Sequence, residues 1–135
     1  MSTSLFISCL KPPVEVYLSD YRINIDDYTS KFLQAFPFSK IERPLSITNS
    51  TYLLYWSLND ENKTGVSGGI QSDSITTSFS GGYWNTKDYI LWHRRYIPDS
   101  VPLYLFDDNL RFIYLLTLET TKADLINLMG AFEGE

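Results

Sequence analysis

Three segments of this chain repeat apolar residues at helical spacing, and each offers a single apolar stripe. Tyr28, Phe32, Leu33 and Phe36 make the first, and Tyr89, Trp92 and Tyr96 the second, with Ile90 and Ile97 on an adjoining face. Leu125, Leu128, Met129 and Phe132 make the third. A helix with one stripe buries it against one surface, so three such helices call for a sheet that all of them can cover. The runs between them supply it. The order is strands, helix, three-strand meander, helix, hairpin, helix. That predicts an α+β domain whose mostly antiparallel sheet (a meander plus a hairpin) carries three helices packed mainly on one face.

The strand assignments rest on alternation and on turn residues. Leu5–Leu10 is a short apolar run that stops at Pro12-Pro13. Val14, Val16 and Leu18 alternate with Glu15, Tyr17 and Ser19, the pattern of a half-buried strand. Tyr52–Leu58 is too short and too aromatic for a helix and reads as a central strand, followed by a polar turn over Asn59–Gly65. Val66–Gln71 and Ile75–Phe79 flank Ser72-Asp73-Ser74, which supplies turn chemistry. Leu103–Asp107 and Arg111–Leu118 flank Asp108-Asn109, a two-residue hairpin signal. Phe38–Pro44 reads as a connector.

Caps fix the helix ends. Asn24 caps the first helix with Asp27 at its third position, Ile23 and Tyr28 sit where a hydrophobic staple places them, and Pro37 ends the pattern. Gly81-Gly82 breaks the sheet pattern, Asn85 or Thr86 caps a second helix over Lys87–Ile97, and Pro98 stops it. Thr120 or Thr121 caps the third, with Asp124 three residues after Thr121. A length of 135 residues without a repeat, linker or low-complexity tract suits one domain, 1–135.

Composition narrows the chemistry. The chain has one histidine, His93, and one cysteine, Cys9, whereas metal sites and nucleophile–base pairs draw on several such residues. No His or carboxylate lies three or four residues from His93, where a helical ligand pair needs one. Asp107-Asp108-Asn109 lacks the alternating ligands of a calcium loop, and no metal or other cofactor is expected. Gly65–Gly69 is followed by no Lys-Ser or Lys-Thr in phosphate-loop spacing. No Ser sits in a nucleophile elbow. The acidic pairs Asp26-Asp27, Asp60-Glu61 and Asp107-Asp108 fall in caps and turns, where Asp serves local hydrogen bonding. A Cys9–His93–Asp107 or Ser–His93–Asp107 triad is compatible with the sequence, because triad members need not be adjacent, but no local pattern singles one out.

Location and partners follow from charge and context. The net charge of −5 lacks the footprint of a nucleic-acid binder and is repelled by anionic membranes. No apolar run approaches a membrane span. Phe6-Ile7-Ser8-Cys9 only faintly echoes a lipoprotein cleavage box, since no basic segment precedes it. Asn49-Ser50-Thr51 and Asn62-Lys63-Thr64 match the glycosylation pattern but have no secretion signal beside them. These readings, with a lone cysteine, suit a cytoplasmic setting.

Two features point to binding. His93-Arg94-Arg95 is a cationic cluster near the end of the second helix, suited either to the helix dipole or to a carboxylate. His93 by itself reads as a side chain on the helix surface. Aromatic residues make up 16% of the chain, ten of them Tyr, which is more than a core of alternating strands absorbs. Of Tyr52, Tyr55, Trp56, Tyr83, Trp84, Tyr104 and Tyr114, some must face outward. The expected binding residues are thus His93, Arg94, Arg95, Tyr55, Trp56, Trp84 and Tyr104. The leading expectation is a small acidic protein-binding domain without catalytic activity, of the inhibitor or immunity type that masks a basic partner, or one that self-associates as a homodimer. The alternative is a small-molecule-binding protein or enzyme with an aromatic-lined pocket that uses His93, Arg94 or Arg95.

Overall fold

The computed structural model describes residues 4–44, 51–58, 65–81 and 83–130, and within helix 83–96 the side chains from 86 onward. Seven strands and three helices follow in order. They are β1 (Leu5–Ser8), α1 (Ile25–Ala35), β2 (Lys40–Glu42), β3 (Tyr52–Leu58), β4 (Val66–Gln71) and β5 (Thr77–Gly81), then α2 (Tyr83–Tyr96), β6 (Leu103–Asp107), β7 (Ile113–Leu116) and α3 (Lys122–Gly130). The strands form one sheet in the order β2-β3-β4-β5-β1-β6-β7, and every neighbouring pair is antiparallel. The α+β architecture expected from the sequence is the one found.

Register decides which side chains share a face. Leu5 pairs with Phe79 and Asp107, and Ile7 with Thr77 and Leu105. Ile70 pairs with Leu54 and Thr77, and Trp56 with Ile41 and Gly68. These residues face the helices, and most are buried. α1 and α2 cover them with interlocking rings. Phe32 of α1 sits 5.5 Å from both Trp56 and Trp92, and Tyr89 of α2 lies 4.2 Å from Trp56, centroid to centroid. Such pairs add roughly 0.5–1.5 kcal/mol each beyond the area they bury. α3 packs beside α2, with Leu125 and Met129 fully buried and a Lys122–Asp88 ion pair at 3.1 Å on the outside.

The caps form as expected at two helices. The Asn24 side chain accepts from the Asp27 amide, and Ile23 and Tyr28 are both buried. Thr121 and Asp124 form a reciprocal capping box, each side chain accepting from the other's amide. At the second helix the expectation fails. α2 starts at Tyr83, so Asn85 and Thr86 lie inside its first turn.

Three further expectations are corrected. Val14–Leu18 is not a strand. β1 is already paired on both edges, by β5 and β6, so the returning segment finds no free edge beyond a single Leu10–Tyr17 bridge. Val14 and Val16 are left 58% exposed. The connector Phe38–Pro44 contains β2, whose Lys-Ile-Glu pattern is too short to show alternation. The hairpin at Asp108-Asn109 is wider than two residues. Asp107 turns back to accept from the Arg111 amide and side chain, both at 2.7 Å, and Phe106 pairs with Ile113. Smaller shifts move β5 to begin two residues later, end β1 at Ser8 and trim β7 to four residues. Asn49, Ser50, most of the Asn59–Gly65 turn, Gly82 and Phe132 lie outside the described residues.

Candidate functional site

The side of the sheet away from the helices is the candidate site. Its residues follow from the same register. One row crosses all seven strands: Glu42, Tyr55, Gly69, Ser78, Phe6, Phe106 and Ile113. A second row runs Lys40, Ser57, Ser67, Ser80. On the far side Ser8 pairs with Tyr104, and Tyr104 with Leu115. None of the β3–β7 or β1 positions on this face is charged.

The open face therefore has two halves. Over β3, β4 and β5 it is tyrosine, serine and glycine. A bulge between Tyr52 and Leu54 turns Tyr52 to this side as well. Its ring lies over Gly69, where an added Cβ would come within 2.8 Å of Tyr52 Cδ1 and 2.5 Å of the Leu54 carbonyl. The Tyr52 hydroxyl hydrogen-bonds Ser78 Oγ at 2.7 Å, and its ring meets Tyr55 at 5.0 Å. A shallow groove of about 180 Å³ opens beside it, lined by Ser4, Phe6, Tyr52, Ser67, Ser78 and Ser80. Over β1, β6 and β7 the face is apolar. Phe6 and Phe106 stack at 5.4 Å, and Ile113 and Leu115 stand exposed.

The site residues expected from sequence separate sharply. Tyr55 and Tyr104 lie on this open face, Tyr55 exposed and Tyr104 half-buried with Lys11 Nζ 5.5 Å from its ring centroid. Trp56 points to the opposite face and is buried in the aromatic core. Arg95 is exposed, but on the helix layer, across the sheet from Tyr55. The side chain of Trp84, like that of Tyr83, lies outside the described residues.

His93 and Arg94 are not on the surface. α2 is flanked by α1 and α3 and lies on the sheet, so residues beside its aromatic stripe are buried too. His93 is fully buried and ends a hydroxyl chain that ties both helices to the sheet. Thr77 donates to the Gly69 carbonyl at 3.2 Å, which leaves its oxygen to accept from Tyr89 at 2.8 Å. Tyr28 then donates to Tyr89 at 2.7 Å, so His93 Nδ1, 2.9 Å from Tyr28, must carry the proton. Its Nε2 is left with no hydrogen-bond partner. Burial, with help from the nearby Arg94 charge, pushes the imidazole pKa down to about 3, so the ring is neutral. Burial likewise raises the phenol pKa of Tyr28 and Tyr89. Nothing here is poised to move a proton to an outside molecule.

Arg94 is a strut. Its guanidinium donates to the carbonyls of Val101, Ile97 and Pro98 at 3.0, 3.1 and 2.7 Å, and lies 3.5 Å from that of Leu116. It closes the end of α2 and holds it to the loop that follows and to the end of β7. The helix-surface reading of His93 and the carboxylate-reading role of Arg94 both fail for one reason. The sequence showed one stripe on α2, whereas this helix is covered on three sides.

Sequence reasoning missed Phe6, Phe106 and the serines of the second row. The signal was present in the alternation, but it became a surface only once register was known. Among the described residues no three His, Cys, Asp or Glu side chains lie together as a metal site would need, and no helix is long and apolar enough to cross a membrane. No family model, curated protein or solved structure matches this chain.

Proposed function

We propose that this chain is a small cytoplasmic protein-binding domain, without catalytic activity, that uses the open face of its sheet. The observation carrying this reading is the composition of that face. Tyr52, Tyr55, Tyr104, the serine rows and Gly69 resemble in kind the surfaces that proteins use to bind other proteins. Tyrosine gives large rigid contact area at little entropic cost, and serine and glycine give adaptable hydrogen bonding. The net charge of −5 favours a basic partner, steered from a distance rather than held by charge at the contact. An inhibitor or immunity-type role, covering a basic partner's working surface, fits this chemistry.

The small-molecule reading has one supporting observation, the serine-lined groove beside Tyr52. It has lost His93 and Arg94 as polar contacts, because both are consumed inside the fold. Its volume of about 180 Å³ is below the roughly 300–1,000 Å³ of ordinary ligand pockets.

The test is differential capture from cell extract at low and high salt. The Tyr55→Ala and Ser67→Lys variants should lose the bound protein, while Arg95→Ala, on the helix layer, keeps it. Raising salt should slow association more than it speeds release. A partner retained by both open-face variants and lost by Arg95→Ala would move the site to the helix layer and end this reading.

A further inference from the structure

The two edges of the sheet are built differently. β2 is three residues long, and its open-face side chains, Lys40 and Glu42, are charged. Short length and charge are the usual means by which an edge strand is kept from pairing with another chain. β7 has neither. From Phe112 to Leu118 there is no charge and no proline. Ile113 is 38% and Leu115 46% exposed, and Leu118, just beyond the strand, is exposed too.

We propose that β7 pairs with β7 of a second copy, antiparallel across a two-fold axis, joining the two sheets into one. The register follows from the residues. Arg94 already engages the Leu116 carbonyl, so the free stretch is Ile113–Leu115. Centred on Tyr114, the pairing sets Ile113 of one copy opposite Leu115 of the other, twice, with both side chains on the open face. Cross-strand pairs of branched apolar residues are the contacts that stabilise a sheet. A two-fold axis needs a patch complementary to itself, and this stretch is one. Charge selects the place. Each copy carries −5, so copies repel over most approaches, and the uncharged β7 edge is where that repulsion bears least. The contact is small beside a standard interface, so the dimer is weak and concentration-dependent. It leaves Tyr52, Tyr55 and the serine rows free, and stands or falls apart from the protein-binding reading.

Sedimentation equilibrium of the whole chain, from about 5 to about 500 µM, tests it. A monomer–dimer equilibrium is expected. Leu115→Lys should weaken it by at least about tenfold, because the change counts twice across the axis, and Lys40→Ala at the other edge should leave it unaltered. A monomer throughout the range overturns the proposal. So does a dimer that persists in a folded Leu115→Lys variant. Should that variant not fold, amide exchange of the unaltered chain decides: protection of Ile113–Leu115 must rise with protein concentration, and its constancy overturns the pairing.

Discussion

The two faces of the sheet come from the same strands and the same alternation, yet they are different materials. Toward the helices stand Leu5, Ile7, Leu54, Trp56, Ile70, Leu103 and Leu105, all essentially buried. Toward the open side stand serines, tyrosines, Gly69 and the Phe6–Phe106 stack. Polar groups also divide. On the helix side the hydroxyl chain from Gly69 to His93 and the Arg94 strut bond only to the protein itself. On the open side Ser67 and Ser80 line a surface. The lesson is that a residue's chemistry does not reveal its role. The most reactive-looking side chains, His93 and Arg94, are the most internal, and plain serines hold the exposed positions.

If that division is right, substitutions should rank by face. The largest effect belongs to Arg94→Ala. It would leave a set of carbonyls buried without a donor, and should cost on the order of 3 kcal/mol or more in chemical denaturation. Arg94→Lys should rescue little, since one ammonium cannot reproduce the fork. A loss below about 0.5 kcal/mol, typical of a surface arginine, would break the comparison at its strongest point.

Next comes pH. His93 is neutral in the folded chain down to about pH 3, while the unfolded chain takes up a proton near its ordinary value. Above roughly pH 6.5 the two states bind protons alike at this residue, and its contribution is constant. Below that the unfolded state binds more, so stability falls with falling pH by up to about 1.4 kcal/mol per unit. His93→Gln should be flatter over this window than the unaltered protein. Parallel pH profiles for the two would show that His93 is not buried as described.

Gly69 sharpens the comparison, because it is an open-face position that should behave like core. Gly69→Ala forces a methyl against the Leu54 carbonyl and the Tyr52 ring and should cost about 1–3 kcal/mol. Tyr55→Ala, its neighbour in the same row, should cost less than about 1 kcal/mol in thermal or chemical unfolding. Equal costs at the two positions would mean that Tyr55 is part of the packing rather than part of a surface.

Much of the fold was legible in the sequence, for local reasons. Tyr52–Leu58, Val66–Gln71 and Leu103–Asp107 carry their boundaries in the turns beside them, and Asn24 and Thr121 announce two helices by their own hydrogen bonds. What failed depended on neighbours far along the chain. Val14–Leu18 has the pattern of a strand, and only the occupancy of both β1 edges denies it a partner. His93 and Arg94 looked exposed because nothing local says that α1 and α3 close on α2 from both sides. The site was half legible. Composition required some aromatic residues to face outward, and Tyr55 and Tyr104 do. Trp56 could not be assigned to a face until its pairing with Gly68 and Ile41 fixed the parity of β3.

The place of β1 has a consequence for how the chain reaches this state. β2 to β5 form a run of neighbours in sequence, and β6 and β7 form a hairpin, so each can assemble from nearby residues. Only β1 joins them, and it must lie between Thr77–Gly81 and Leu103–Asp107. The first strand made is thus the last to find both partners, and its second neighbour arrives about a hundred residues later. Setting these four residues between partners so far along the chain is a long-range step, of the kind that slows folding.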